Sequence, residues 1–271
     1  MKKYICFITK RPNKNLIQLA LELTQQTNFQ PIIVIDDNKF DEYFINKSFI
    51  KLDDAEVVKK GYSLSNYQHV KKNPSGWDKA LFYCCEQLKD AEYVWFIEDD
   101  VFIPSIEALV ELDIKSGDAD LVCEKKDFYL DEIYWPHWEQ ARGLLPEPWV
   151  KSLACMVRLS DNMLHAVKNY AAKHKRLAFI ELMFTSLAVK NEYLIFTPKE
   201  LSTITWSWKK SFWSFSDIQK HPNNFFHPVK QFDNHGQFRN KLKQLEKMES
   251  SIWKIPQLFT LSKDYIKDFF S

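Results

Sequence analysis

The sequence predicts an α/β fold, with a mostly parallel central sheet flanked by helices and then an irregular, aromatic-rich C-terminal region. Short apolar runs at residues 3–9 (KYICFIT), 31–37 (PIIVIDD) and 93–97 (YVWFI) have the length of buried strands. The segments between them repeat apolar residues at helical spacing. This alternation continues to residue 123, and strands separated by helices are expected to lie parallel with the helices on the sheet faces.

The first strand, 3–9, is followed by a helix beginning near Asn13, with Leu16, Leu19, Ala20 and Leu23 on one side. The second strand ends in Asp36 and Asp37, and a short third strand is expected at 48–52. From Gly76 the segment GWDKALFYCCEQL is helical, with Trp77, Ala80, Leu81, Cys84 and Leu88 on one face. It leads into the strand YVWFI. Pro104 is expected in the first turn of the next helix, and ADLVC (119–123) reads as a further strand. Residues 134–150, rich in Trp and Pro, read as a long loop, and VKSLACMVRLS (150–160) as one strand. Helices are expected at 161–174 and 178–190, aromatic loops at 206–215 and 221–230, and a basic helix at 238–247.

Composition narrows the function. A formal net charge of +1 lacks the basic field of a general nucleic-acid binder, so no nucleic-acid partner is expected. No run approaches the ~18 uninterrupted apolar residues of a membrane span. The N-terminus reads as a first strand, not a signal peptide. The five cysteines lie in apolar segments without a C-x-x-C pair, as buried free thiols of a reducing compartment would, and a cytoplasmic setting is expected. With only 5 glycines there is no G-x-G-x-x-G, no P-loop and no nucleophile elbow. Any bound phosphate must then be held by metal, Lys or Arg.

The central motif is YVWFIEDDVFIP, 93–104, where an apolar run ends in Glu98, Asp99 and Asp100. Like charges this close repel one another, and their desolvation is costly without a cation among them. In an extended segment Glu98 and Asp100 share a face and Asp99 points elsewhere. That spacing suits a divalent cation with oxygen ligands. The plainer reading is an acidic, solvated strand end. In parallel sheets ligands collect beyond the carboxyl ends of strands, so Thr9, Lys10, Arg11, Asp36 and Asp37 are expected to converge there with the acidic motif.

A hydrophobic strand ending in E-D-D, then Val and a Pro-started helix, resembles the acidic D-x-D-type motif of GT-A-fold, nucleotide-sugar-dependent glycosyltransferases. The layout matches over roughly the first 125 residues, with Glu98 in place of the first Asp. FFHPVK (225–230) is similar to the C-terminal loop of such enzymes, in which a His completes the metal site and a Lys contacts the diphosphate. The resemblance implies a Rossmann-like GT-A sheet and Mn²⁺ or Mg²⁺ held by Asp100, His227 and Glu98. Glu98, Asp99 and Lys230 would face the sugar nucleotide. Asp36 or Asp37 would read the base or ribose, Thr9, Lys10 and Arg11 would meet base and phosphates, and Lys79, beside Trp77, would contact base or sugar.

For the general base the choice is Glu181, at the edge of the apolar helical face in AFIELMFTSLAV, where a desolvated carboxylate acquires a raised pKa. A polar helix edge in water fits the same pattern. Aromatics make up 15% of residues, including 9 Trp, enough to supply stacking platforms as well as core. Trp135, Trp138, Trp149, Trp206, Trp208 and Trp213 surround the candidate site in sequence; Trp135, Trp138, Trp206, Trp208 and Trp213 are taken as acceptor-binding.

The expectation is a single domain: a nucleotide-sugar half (1–125), an acceptor and catalytic half (126–237) and a tail (238–271). Its activity would be metal-dependent, inverting transfer of a sugar from a nucleoside diphosphate donor, UDP-linked, to a hydroxyl of a glycan, lipid-linked or protein acceptor. A sugar nucleotidyltransferase would need a glycine-rich loop where this chain has TKRPN. A metal-dependent phosphohydrolase and a non-catalytic carbohydrate-binding protein are the other readings. The basic segment 238–254 offers peripheral contact with an anionic membrane, although its glutamates favour a solvated helix.

Overall fold

The computed structural model describes residues 2–40, 48–66, 72–209 and 212–252. In chain order it contains β1 (Lys2–Thr9), α1 (Lys14–Gln26), β2 (Phe29–Ile35), β3 (Phe49–Ile50), α2 (Asp54–Lys59), α3 (Gly76–Phe82), β4 (Ala91–Glu98), α4 (Ile106–Ser116), β5 (Leu121–Val122) and β6 (Asp127–Phe128). Then follow β7 (Val150–Lys151), β8 (Met156–Ser160), α5 (Asp161–His174), α6 (Ile180–Lys190), β9 (Ile195–Phe196), α7 (Phe215–Lys220) and α8 (Phe232–Ile252).

Seven strands form the central sheet in the order β3-β2-β1-β4-β8-β5-β9, and all neighbours are parallel except β8, which is antiparallel to both β4 and β5. Alternation along the strands separates two cores. Ile5, Phe7, Ile33, Trp95 and Ile97 pack with Leu16, Leu19 and Leu23 of α1 and Leu109 and Leu112 of α4. Cys6, Ile8, Val34, Val94 and Phe96 pack with Trp77 and Leu81 of α3, Val167 of α5 and Met183 of α6. Each fully buried Ile or Phe contributes about 1.5–3 kcal/mol by leaving water, so the two faces together hold the layers in place.

Helix starts follow side-chain chemistry. The Asn13 side-chain oxygen Oδ1 accepts from Leu16 N–H at the head of α1, and Ser75 with Asp78 forms a reciprocal cap at α3. Pro104 does not occupy the first turn of α4: Ser105 caps that helix by accepting from Ala108 N–H, which leaves the proline just outside it. The expected single strand at 150–160 is two, β7 and β8, and β8 is the antiparallel member of the mostly parallel sheet. The segment 134–150 is packed as well as irregular, with a short 3₁₀ turn at Trp138–Ala141 and Ala141 and Leu145 buried.

Helix α8 is longer than the expected 238–247, and its Phe238 and Leu242 are buried in a third cluster with Phe102 and Val229. Those apolar side chains are therefore occupied within the protein and do not face a membrane. The end of the basic segment, 253–254, lies outside the described residues. No helix among the described residues is long and apolar enough to cross a membrane.

Candidate functional site

The acidic motif closes β4. Asp99 N–H donates to the Ile8 carbonyl and Val101 N–H to the Glu98 carbonyl, so the chain turns immediately beyond the strand. A distant segment is clamped onto this turn: Phe102 and Phe226 exchange both backbone hydrogen bonds, at 2.8 and 3.2 Å, and Val229 N–H donates to the Asp100 carbonyl at 2.7 Å. The clamp carries His227 to the acids. His227 Nε2 lies 3.3 Å from Asp100 Oδ1 and 3.7 Å from Glu98 Oε2.

The other ring nitrogen of His227 decides what this contact means. Nδ1 is 2.6 Å from the Thr205 carbonyl oxygen, which can only accept, so Nδ1 carries a proton. When the imidazole is neutral, its Nε2 lone pair faces two carboxylates. Acceptors facing one another need a cation or a proton between them. Burial alone would lower the His227 pKa, but the hydrogen bond and charge of Asp100, then the charge of Glu98, raise it. Asp100 responds in kind: burial pushes it up, and His227 outweighs this and holds it below the usual carboxylate range. Glu98 is raised by burial and then by Asp100, although Trp77 Nε1 donates to its Oε1 at 2.6 Å.

These groups open onto a cleft of about 630 Å³ whose lining includes Glu98, Asp100, His227, Lys230, Glu181, Trp135, Trp206 and Trp208. Glu181 stands in the first turn of α6, where burial and then the charge of Glu98 push its carboxyl up to about 7. Trp135 stacks on Phe179 at 6.1 Å with the rings 16° apart. Trp206 and Trp208 are exposed and meet edge to face at 4.9 Å. Lys230 Nζ donates to the Ser207 carbonyl at 2.9 Å and lies 5.9 Å from the Trp208 ring centre.

Other expected site residues are placed elsewhere. Asp99 points away from the pair, accepts from Thr9 Oγ1 at 2.5 Å and borders a small cavity with Asn13, Asn15 and Arg239; burial pushes its carboxyl up to about 7. Thr9 is buried by this contact. Arg11 pairs with Asp37 at 2.7 Å, and Asp36 with Lys72 at 2.5 Å. With the exposed Lys10 they cluster at the ends of β1 and β2 but do not line the cleft.

Three assignments change. Lys79 is 0% exposed and bonds to Asp54, Asn38 Oδ1 and the Asp36 carbonyl, so it ties α3 to β2 and α2 and presents no free ammonium to a ligand. Trp138 is a core residue, its Nε1 donating to the Glu132 carbonyl. Trp213 packs on Phe226 and donates to the His227 carbonyl at 2.9 Å, supporting the histidine loop. Trp149 lies against Tyr129 with its Nε1 on the Leu145 carbonyl, and Trp77 stacks on Phe96 in the core. Asn66 and Cys155 also line the cleft and were not singled out in the sequence. Cys155 reads there as a buried thiol, which it is; its place opposite Glu98 follows only from the antiparallel β8.

No protein-family model matches the chain, and no curated protein matches its sequence. Among solved structures it is similar to the galactosyltransferase LgtC, crystallised in complex with donor and acceptor sugar analogs, at 11% identity and a TM-score of 0.43, covering 88% of this chain and 95% of that one. The likeness is loose.

Proposed function

We propose that the protein is a metal-dependent glycosyltransferase that moves a sugar from a nucleoside diphosphate donor, UDP-linked, to a hydroxyl of a carbohydrate-containing acceptor with inversion. The observation that carries this reading is the convergence of His227 Nε2 on Asp100 and Glu98 at the mouth of a carboxylate-bearing, aromatic-walled cleft. Two carboxylates and a neutral imidazole fit Mn²⁺, or Mg²⁺ with its oxygen donors, and Asp100, Glu98 and His227 would hold the ion. When bound, the metal would supply positive charge to a departing diphosphate.

Lys230 adds an ammonium on the same side chain cluster and offsets phosphate charge as the bond to the sugar breaks. Trp135, Trp206 and Trp208 offer flat apolar surfaces for sugar rings. Glu181, with its raised proton affinity, accepts the hydroxyl proton of the acceptor as that oxygen bonds to the anomeric carbon and the carbon–diphosphate bond breaks. Arg11, Asp36 and Asp37, at the ends of β1 and β2, are the groups proposed for base and ribose.

The test is to incubate the purified chain with a panel of nucleoside diphosphate sugars and Mn²⁺ and to follow release of free nucleoside diphosphate. Turnover with at least one donor is expected, and Glu181→Gln should lower kcat by about 10²–10⁴-fold. Glycan binding unaffected by nucleotide and metal, with no turnover of any donor, would leave a binding protein instead.

Glu181 also makes a stability prediction for chelator-treated protein. Its folded pKa of about 7 exceeds the ordinary 4.5, so the folded state holds the proton more tightly than the unfolded chain. That contribution is complete below the ordinary value and is lost as pH rises through the folded one. Relative to Glu181→Gln, wild type should lose about 2–3 kcal/mol between about pH 4.5 and pH 8, read from urea unfolding at several pH values. Parallel pH profiles for the two proteins would rule the buried carboxylate out.

A further inference from the structure

The register of β8 against β4 runs through Ile97 and Met156, and beyond that pair Glu98 N–H donates to the Cys155 carbonyl at 2.9 Å. Antiparallel pairing thus sets a thiol directly across from the first acid of the motif. Cys155 is 8% exposed and lines the cleft. A carboxylate oxygen of Glu98, the sulfur of Cys155 and a ring nitrogen of His227 all lie within 4.8 Å of one another. The His227 ring is fixed by the Thr205 carbonyl, in the manner of a metal-binding imidazole braced from behind.

Sulfur changes which ion such a set prefers. Mg²⁺ and Mn²⁺ favour oxygen and gain little from a thiol, whereas Zn²⁺, Co²⁺ and Cd²⁺ bind thiolate strongly. Donors of a tetrahedral Zn²⁺ at about 2.0–2.3 Å lie roughly 3.3–3.6 Å apart. The 3.7 Å from His227 Nε2 to Glu98 is close to this span, and the Cys155 sulfur lies within 4.8 Å of a donor atom of each. Cys, His and one carboxylate, with a further position left open, also match the donor types of zinc sites that retain an exchangeable ligand.

We propose that Cys155 is a metal ligand together with Glu98 and His227, and that the cleft binds a thiophilic divalent cation of the Zn²⁺ class more tightly than Mn²⁺. This rests on the metal site proposed above and adds its ion preference. As the sulfur–metal bond forms, the thiol proton passes to solvent. Zn²⁺ then competes with Mn²⁺ for one site, and the nature of the bound ion depends on Cys155.

The full chain, stripped with chelator, is titrated with Cd²⁺, Co²⁺, Zn²⁺ and Mn²⁺. Cd²⁺ should produce an ultraviolet thiolate-to-metal band saturating at a single equivalent, and X-ray absorption of the Zn²⁺-loaded wild type should show a sulfur neighbour at about 2.3 Å. Cys155→Ser and Cys155→Ala, checked for fold by circular dichroism, should lose the band and bind Zn²⁺ about 100-fold more weakly, with Mn²⁺ affinity changed less than about threefold. Cys123→Ser should keep the band. Mn²⁺ binding with no sulfur neighbour to Zn²⁺, or a Cd²⁺ band that survives in both Cys155 variants, overturns this inference and leaves the metal-dependent reading standing. Binding of none of the four ions overturns both.

Discussion

Replacing Asp100 by asparagine is expected to lower sugar transfer by about 10²–10³-fold or more and to weaken Mn²⁺ binding in parallel. Asparagine preserves the volume of the side chain and leaves the Asp100 carbonyl, which accepts from Val229 N–H, in place, so the His227 loop stays clamped. What disappears is the negative charge 3.3 Å from His227 Nε2. The histidine then loses its main source of raised proton affinity, and the site keeps one carboxylate where it had two. Product chromatography and paramagnetic resonance of free Mn²⁺ check the two effects, with thermal unfolding showing that the fold survives. Full transfer activity in this variant would refute the assignment of the acidic pair.

The second large effect is on stability, at Arg158 of β8. Its guanidinium is completely buried, pairs with Asp113 at 3.0 Å, and donates to the carbonyls of Ser116, Gly117 and Ala119 at the end of α4 at 3.2, 2.6 and 3.2 Å. It also lies 4.1 Å from the Tyr93 ring centre. Arg158→Met matches the side chain for length and packing but removes every donor, taking the guanidinium from the Gly117 and Ala119 carbonyls and leaving Asp113 with only Lys3 and Trp95. A loss of about 3–5 kcal/mol is expected from denaturant unfolding. Arg158→Lys should recover little of it, because an ammonium cannot reach Asp113 and the helix-end carbonyls in the planar fork that guanidinium provides. A change near zero in Arg158→Met would mean that this buried pair contributes nothing net.

Which parts were readable in the sequence follows from the range of the forces involved. β1, α1, β2, the start of α3, β4, α5 and α6 announce themselves through local periodicity and caps, so their residues are found where the pattern puts them. The separation of Glu98 and Asp100 from Asp99 was likewise local, a matter of alternation at a strand end. β5 lies within the expected strand 119–123, whereas β9 consists of two residues, too short to carry a period. The direction of β8 depends on its partners, and without it nothing places Cys155 beside Glu98. Lys79 looks like a surface lysine on a helix because Asp36, Asn38 and Asp54, which surround it, come from other parts of the chain. Trp138 and Trp213 were misassigned for a similar reason: an indole that closes a core and one that faces a ligand have the same sequence.

The reversed direction of β8 has a further consequence. β5 runs with β4, so residue 123 leaves the sheet at the edge where the acids stand, and β8, running the other way, begins at that same edge with residue 156. Everything between them departs from and returns to a single rim, like a handle fixed at both ends. Apart from Cys155, which bonds to Glu98, and the buried Trp138, Ala141 and Leu145, such a handle can be lengthened, shortened or exchanged without disturbing the ladder beneath it. One wall of the cleft can therefore diverge rapidly between relatives while the floor that holds the carboxylates stays constant.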